Sequence, residues 1–407
     1  MFIFREVEEE ILMFSRTTPC IRTFVIAFIA VSVGLSGCVD DDSEADTSDC
    51  FEPGEVPSTV EEEVTLEAGC YEVANTIDID EGMLTLEPGT TLVFHEGVGI
   101  EANGGRLNAE GTESSPIVLT GLEEISGYWD GVWIYDSTSN DNVLDQVTIE
   151  YGGGGDFTWA DQNANLTLHD TLMELNDVTL RQADGFGLYL KDGDNDLSMN
   201  QGTFTDNEEG PVWVDHPTTV QQLDPEADFT GNSDDYIQVG SGELQEDTTW
   251  ETFDIPLVAR NVEAEDENRL TIEAGNTIRF REDGGMQISG GQLAVEGTED
   301  DPVVLEGWES APGYWNGIWF YNTFSEANQL DHVEIYDGGR EEWTWAGYPA
   351  NLTIQESRVG ASNLTLANSG DTGILVRSDT TDLNFDCATI TNEDGYEVES
   401  DAEWPCD

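Results

Sequence analysis

Gly127-Tyr128-Trp129-Asp130-Gly131-Val132-Trp133-Ile134-Tyr135 returns later in this chain as Gly313-Tyr314-Trp315-Asn316-Gly317-Ile318-Trp319-Phe320-Tyr321. The offset of 186 positions also maps Leu84-Thr85-Leu86-Glu87 onto Leu270-Thr271-Ile272-Glu273, and Gly111-Thr112-Glu113 onto Gly297-Thr298-Glu299. Asn165-Leu166-Thr167-Leu168 matches Asn351-Leu352-Thr353-Ile354 at the same offset. A duplication without a slip over so long a stretch requires units of fixed geometry. It also supplies an internal test, because a site needed in both copies should recur.

Within each copy, helical periodicity is almost absent. Short β runs end in Gly, Asn or Asp, as at Leu84–Leu86, Thr91–Phe94, Ile117–Leu119, Val132–Ile134, Val147–Ile149, Leu166–Leu168, Val178–Leu180 and Leu188–Leu190. That spacing alone suits a sandwich or a barrel. A finer repeat narrows the choice. Asn176-Asp177-Val178-Thr179-Leu180 aligns with Asn200-Gln201-Gly202-Thr203-Phe204, 24 positions on, and Leu364-Thr365-Leu366 is echoed about as far downstream by Ala388-Thr389-Ile390. A unit of that length with only short strands and turns is what one coil of a β-solenoid requires. Stacked coils pair their strands in parallel and point alternate side chains into a narrow apolar core, with Gly and Asn expected at the corners.

Leu84-Thr85-Leu86-Glu87-Pro88-Gly89, Leu107-Asn108-Ala109-Glu110-Gly111-Thr112, Pro116-Ile117-Val118-Leu119-Thr120, Gly127-Tyr128-Trp129 and Val147-Thr148-Ile149-Glu150-Tyr151 carry a resemblance, as do their counterparts in the second copy. In these segments the chain resembles the right-handed parallel β-helix proteins of prokaryotic surfaces and periplasms, the pectate-lyase-like solenoids. The resemblance implies an all-β, right-handed parallel β-helix of two tandem homologous segments, 63–240 and 241–407. It says little about activity, because that group mixes polysaccharide lyases and hydrolases with surface proteins of other roles.

The N-terminal region reads as an export signal over residues 1–37, with Met13 an alternative start. Arg16 and Arg22 precede an apolar run from Thr23 to Leu35, which is short of the about 20 residues that span a bilayer. Leu35-Ser36-Gly37-Cys38 resembles the lipobox of prokaryotic lipoproteins, which implies lipid modification at Cys38. Residues 38–62 then read as an acidic, disordered tether. The expectation is an exported protein, membrane-anchored at the cell surface or in the periplasm. Cys50, Cys70, Cys387 and Cys406 remain for disulfides. They allow three pairings, and proximity favours Cys50–Cys70 and Cys387–Cys406, each closing a loop worth roughly 3 kcal/mol.

The chain carries 86 acidic against 13 basic residues, a formal charge of −73 in 407 residues. Self-repulsion on that scale is relieved by salt, so the composition suits a halophilic setting. Nucleic acid is excluded as a partner, since no basic footprint exists. Most of the basic residues do not recur. Arg106, Arg181, Arg279, Arg340 and Arg358 align with Gln292, Ala367, Val93, Gly154 and Leu172; only Lys191 with Arg377, and loosely His95 with Arg281, keep basic character. The histidines His95, His169, His216 and His332 have no ligand spacing, and no catalytic constellation emerges.

Asp192-Gly193-Asp194-Asn195-Asp196 has the alternating carboxylates of a calcium loop, but Leu197 and Thr203 stand where an EF-hand has its glycine and bidentate glutamate. Asp192, Asp194 and Asp196 are therefore weak Ca²⁺ candidates, and no other cofactor is expected. The recurring aromatics Tyr128, Trp129, Trp133 and Trp159, with Tyr314, Trp315, Trp319 and Trp345, are either stacked core or a platform for sugar rings. Asn165, Asn351 and Asn363 lie in Asn-x-Thr sequons. The expected function is a non-catalytic surface-binding or structural role toward polysaccharide, cation or a surface component. The alternative is a carbohydrate-active enzyme working in a groove along the solenoid.

Overall fold

The computed structural model describes residues 56–155, 162–340, 349–378, 380–398 and 404–406. Successive strands do not pair with their chain neighbours. Each pairs with the strand one coil on, and every ladder between named strands is parallel. Such a topology is a parallel β-helix, in agreement with the repeat.

Side chains alternate between the two faces of each strand, and the inward set produces the core. Val60, Ile79, Ala102, Ile134, Leu168, Leu190, Val214, Val239, Ala259 and Phe280 occupy one inward column through successive strand pairings. All of them are fully buried. The column crosses from the first repeat into the second without a break. Leu66, Leu86, Ala109, Leu144, Leu175 and Met199 form a matching column on another face. An apolar residue at every second position is thus enough to fill the narrow interior.

The corners hold the expected glycines and asparagines, but also residue types not expected there. Positive φ angles fall on Gln146, Asp177 and Gln201, and on His332 and Asn363 at the equivalent places in the second copy. The same holds for Asp136 with Asn322, Tyr151 with Asp337, and Asp170 with Glu356. Left-handed backbone costs a side chain about 1–2 kcal/mol. Here it is forced by the turn between adjacent strand faces, and hydrogen bonds from the neighbouring coil hold it. Gln146, for example, is tied by its own N–H to Asn176 O at 3.0 Å.

Glycine is required where coils meet most closely. Gly131 and Gly317 have φ of +96° and +91°, and a Cβ on them would stand 2.6 and 2.4 Å from the carbonyl oxygens of Ala164 and Ala350. Cys387 and Cys406 form a disulfide with Cα atoms 5.2 Å apart at the C-terminal end, the expected pairing. Cys70 is also disulfide-bonded. Cys38 and Cys50 lie outside the described residues.

Candidate functional site

Trp129 and Trp315 are not a platform. Trp129 and Trp315 are fully buried. Trp129 stacks on Phe94 at 4.1 Å and 7°, and Trp315 on Phe280 at 4.2 Å and 7°. Their indole N–H groups donate to Glu150 O at 2.8 Å and Tyr336 O at 2.7 Å. Each ring therefore closes the core at a corner with its polar atom satisfied, and offers no face to a sugar.

Trp133 and Trp319 alternate with core residues and point outward, yet they are only 2% and 6% exposed, beside Tyr135 and Tyr321. Tyr128 and Tyr314 are half-buried. Trp159 and Trp345 lie outside the described residues.

The calcium expectation also fails geometrically. Asn195 is the residue that turns inward, accepting from Thr171 N at 3.2 Å and donating to Lys191 O at 2.7 Å. Asp192, Asp194 and Asp196 are left splayed on the exposed side of that turn, and Asp192 meets His169 at 2.9 Å. Though spaced two apart on the same exposed side, they are not among the carboxylates whose oxygens converge within 4.8 Å.

Among the described residues the acids that converge are Glu243, Glu263 and Glu265, whose oxygens lie within 4.8 Å of one another. Burial, then Glu265 and Glu243, push the Glu263 carboxyl up. The sequon asparagines hold structural places. Asn165 and Asn351 are fully buried, each accepting from a glycine N–H (Gly152 at 2.9 Å, Gly338 at 2.7 Å) and donating to a neighbouring carbonyl. They brace the coil. Asn363 sits half-buried at a left-handed corner, bonded to Asp331 at 3.0 Å.

What sequence reasoning missed is a cleft of about 730 Å³ where the last coils of the first repeat meet the first coils of the second. Strand Gly210–Val214 and strand Ile237–Val239 supply Trp213 and Gln238, and Tyr236 precedes the latter. Strand Leu257–Ala264 supplies Arg260 at the point where its register against strand Thr277–Ser289 shifts. The shift lets Arg281, Glu282 and Asp283 bulge outward opposite Arg260.

Trp213 packs edge-on against Phe186 at 5.3 Å and donates its indole N–H to Asp215 at 2.8 Å. Arg281 lies over the Trp308 ring at 4.4 Å and the Tyr236 ring at 5.4 Å. Its Nη2 donates to Gln238 Oε1 at 3.0 Å and to the Tyr236 hydroxyl at 3.2 Å. Gln238 is held for this by donating its own amide to Val258 O at 2.9 Å.

The charge arrangement in the cleft is unusual for so acidic a chain. Arg106, Arg181, Arg269, Arg279, Arg340 and Arg358 are each ion-paired to a carboxylate. Arg281 instead has aromatic and amide partners. Arg260 is exposed and meets no acceptor among the described residues.

The cleft carboxylates are largely committed elsewhere. Arg340 pairs with Glu282 at 3.0 Å and with Asp283 at 2.5 Å, while Asp215 accepts from Tyr189 at 2.6 Å and from Trp213. Burial pushes the nearby His216 imidazole down, against the pull of Asp194, Asp215 and Glu243, so it adds no cation at neutral pH.

Set against known proteins, the chain matches no family model, no curated sequence and no solved structure.

Proposed function

We propose that this is an exported, lipid-anchored β-helix protein of the pectate-lyase-like kind, adapted to high salt, whose surface role is non-catalytic binding of polysaccharide. The observation that carries the reading is the junction cleft, where partly exposed Trp213 and Tyr236 stand beside two arginines that have no carboxylate partner among the described residues. Aromatic faces with a few fixed polar groups are what sugar rings require, because their C–H faces stack while their hydroxyls are hydrogen-bonded. The cleft carboxylates favour binding over hydrolysis. Of the four lining carboxylates, Asp215, Glu282 and Asp283 already hold hydrogen-bond or ion-pair partners, which leaves Glu209 alone where hydrolysis calls for a pair.

Anchoring through Cys38 would keep such a cleft at the cell surface; retention there needs more than one acyl chain, since a single chain binds membranes only marginally. The test is titration of the full chain with neutral and acidic polysaccharides, with and without calcium, followed by tryptophan fluorescence and by assays for unsaturated and reducing ends. Saturable quenching without product is expected, and Trp213→Ala should weaken binding about tenfold, the loss of one stacking face. Release of unsaturated or reducing ends would establish the enzymatic alternative instead.

A further inference from the structure

The binding reading leaves open what kind of glycan enters the cleft, and the distribution of charge narrows it. Resting on that reading, we infer that the ligand is an otherwise uncharged glycan bearing one isolated anionic group, a carboxylate that Arg260 receives. Three observations converge on this. Arg260 is exposed in the cleft and meets no acceptor among the described residues, although the chain has 86 acidic residues with which to pair it. Arg281, across the register shift, is held against Trp308 and Tyr236, which fixes a flat aromatic and guanidinium wall next to Arg260.

Beyond these two guanidiniums, the charge lining the cleft is acidic, at Glu209, Asp215, Glu282 and Asp283. A polyanion would have to lay its successive charges against those carboxylates and against a molecule of net charge −73. One anionic group on a neutral chain meets only the arginine. A planar guanidinium takes a carboxylate through two parallel hydrogen bonds, a short-range contact that survives in brine. Long-range repulsion of a polyanion, by contrast, fades as the screening length falls from about 8 Å at physiological ionic strength to about 3 Å at 1 M salt.

The deciding experiment is calorimetric titration of the full chain with neutral gluco-, manno- and galacto-tetrasaccharides. The same tetrasaccharides ending in a uronate, the same ending in a sulfate ester, and a fully charged oligogalacturonate complete the set, each at 0.15 M and 2 M salt. At least one uronate-capped tetrasaccharide should bind about tenfold or more tighter than its neutral parent at both salts. Arg260→Gln should reduce that preference to near unity while leaving the thermal midpoint unchanged.

Equal affinity for neutral and capped sugars, or a preference that survives Arg260→Gln, would overturn the inference while leaving saccharide binding intact. Tightest binding by oligogalacturonate at 0.15 M salt would overturn it too, and tightest binding by the sulfate-capped set would overturn the carboxylate. Failure of every sugar to bind would instead overturn the binding reading, and the inference with it.

Discussion

Arg106, Arg181, Arg279 and Arg358 have no basic counterpart in the other repeat, and each sits in an ion pair of which at least one acid has changed too. Arg181 pairs with Glu150, where the second copy has Ala367 and Tyr336; Arg279 pairs with Glu306, where the first has Val93 and Thr120. These are structural pairs that drifted together, so their failure to recur carries no message about chemistry. The Arg181–Glu150 pair is the one with most at stake, because Glu150 is only 9% exposed and its other partner is Thr120 at 2.9 Å. Arg181→Met should destabilise by roughly 2–3 kcal/mol in urea unfolding. That is below the full cost of breaking a buried pair, because the guanidinium is partly solvated. Adding Glu150→Gln should restore part of the loss; a double variant as unstable as the single one would contradict the pairing.

Among the elements, the strands and the corners were legible to different degrees. Alternation at Leu84–Leu86 or Val147–Ile149 predicts short strands with one face inward, and that is where the strands Met83–Leu86 and Val147–Glu150 lie. The corners were less legible, since Gln146 and Glu356 do not look like left-handed residues; only stacking on the adjacent coil imposes that conformation. Glycine matters for two separable reasons, backbone conformation and close approach. Gly97 has φ +66° with open space around it, whereas Gly131 has φ +96° and faces the Ala164 carbonyl at 2.6 Å. Gly97→Ala should cost about 1 kcal/mol and Gly131→Ala clearly more, above roughly 2 kcal/mol, when unfolding midpoints are compared. Equal losses would show that conformation alone decides.

For the whole molecule, carboxylate crowding sets the response to solution conditions. Asp78, Glu101, Asp145, Glu263 and Asp337 have carboxyls pushed up, in each case first by burial; neighbouring carboxylates add to it. Asp331 moves the other way, because Ser362, Asn363 and His332 outweigh its burial. A carboxyl raised in the folded state binds its proton more tightly there than in the unfolded chain. Stability is therefore greatest below the ordinary carboxylate range for these groups and is lost as pH rises through their elevated values. At low ionic strength the thermal midpoint should accordingly rise as pH falls from 7 toward 5. It should also rise at pH 7 between low and molar salt, with a smaller pH effect in salt because part of the shift is repulsion. A midpoint indifferent to salt would remove the case for adaptation to brine.

The sequence alone determined the architecture, because period and alternation are local properties that each coil repeats: the parallel β-helix, its inward columns and the C-terminal Cys387–Cys406 clip were all legible in it. Whether a tryptophan is core or platform was open in the sequence. It depends on whether Phe94 or Phe280 lies beneath the ring, which only stacking reveals. The cleft was hidden for a related reason. A search for recurring residues discards Arg260, Trp213 and Tyr236, yet the place where one repeat abuts the other exists only once, so a site built across it cannot recur. Folding brought those residues together and left Arg260 without an acceptor among the described residues, although four carboxylates line the same cleft.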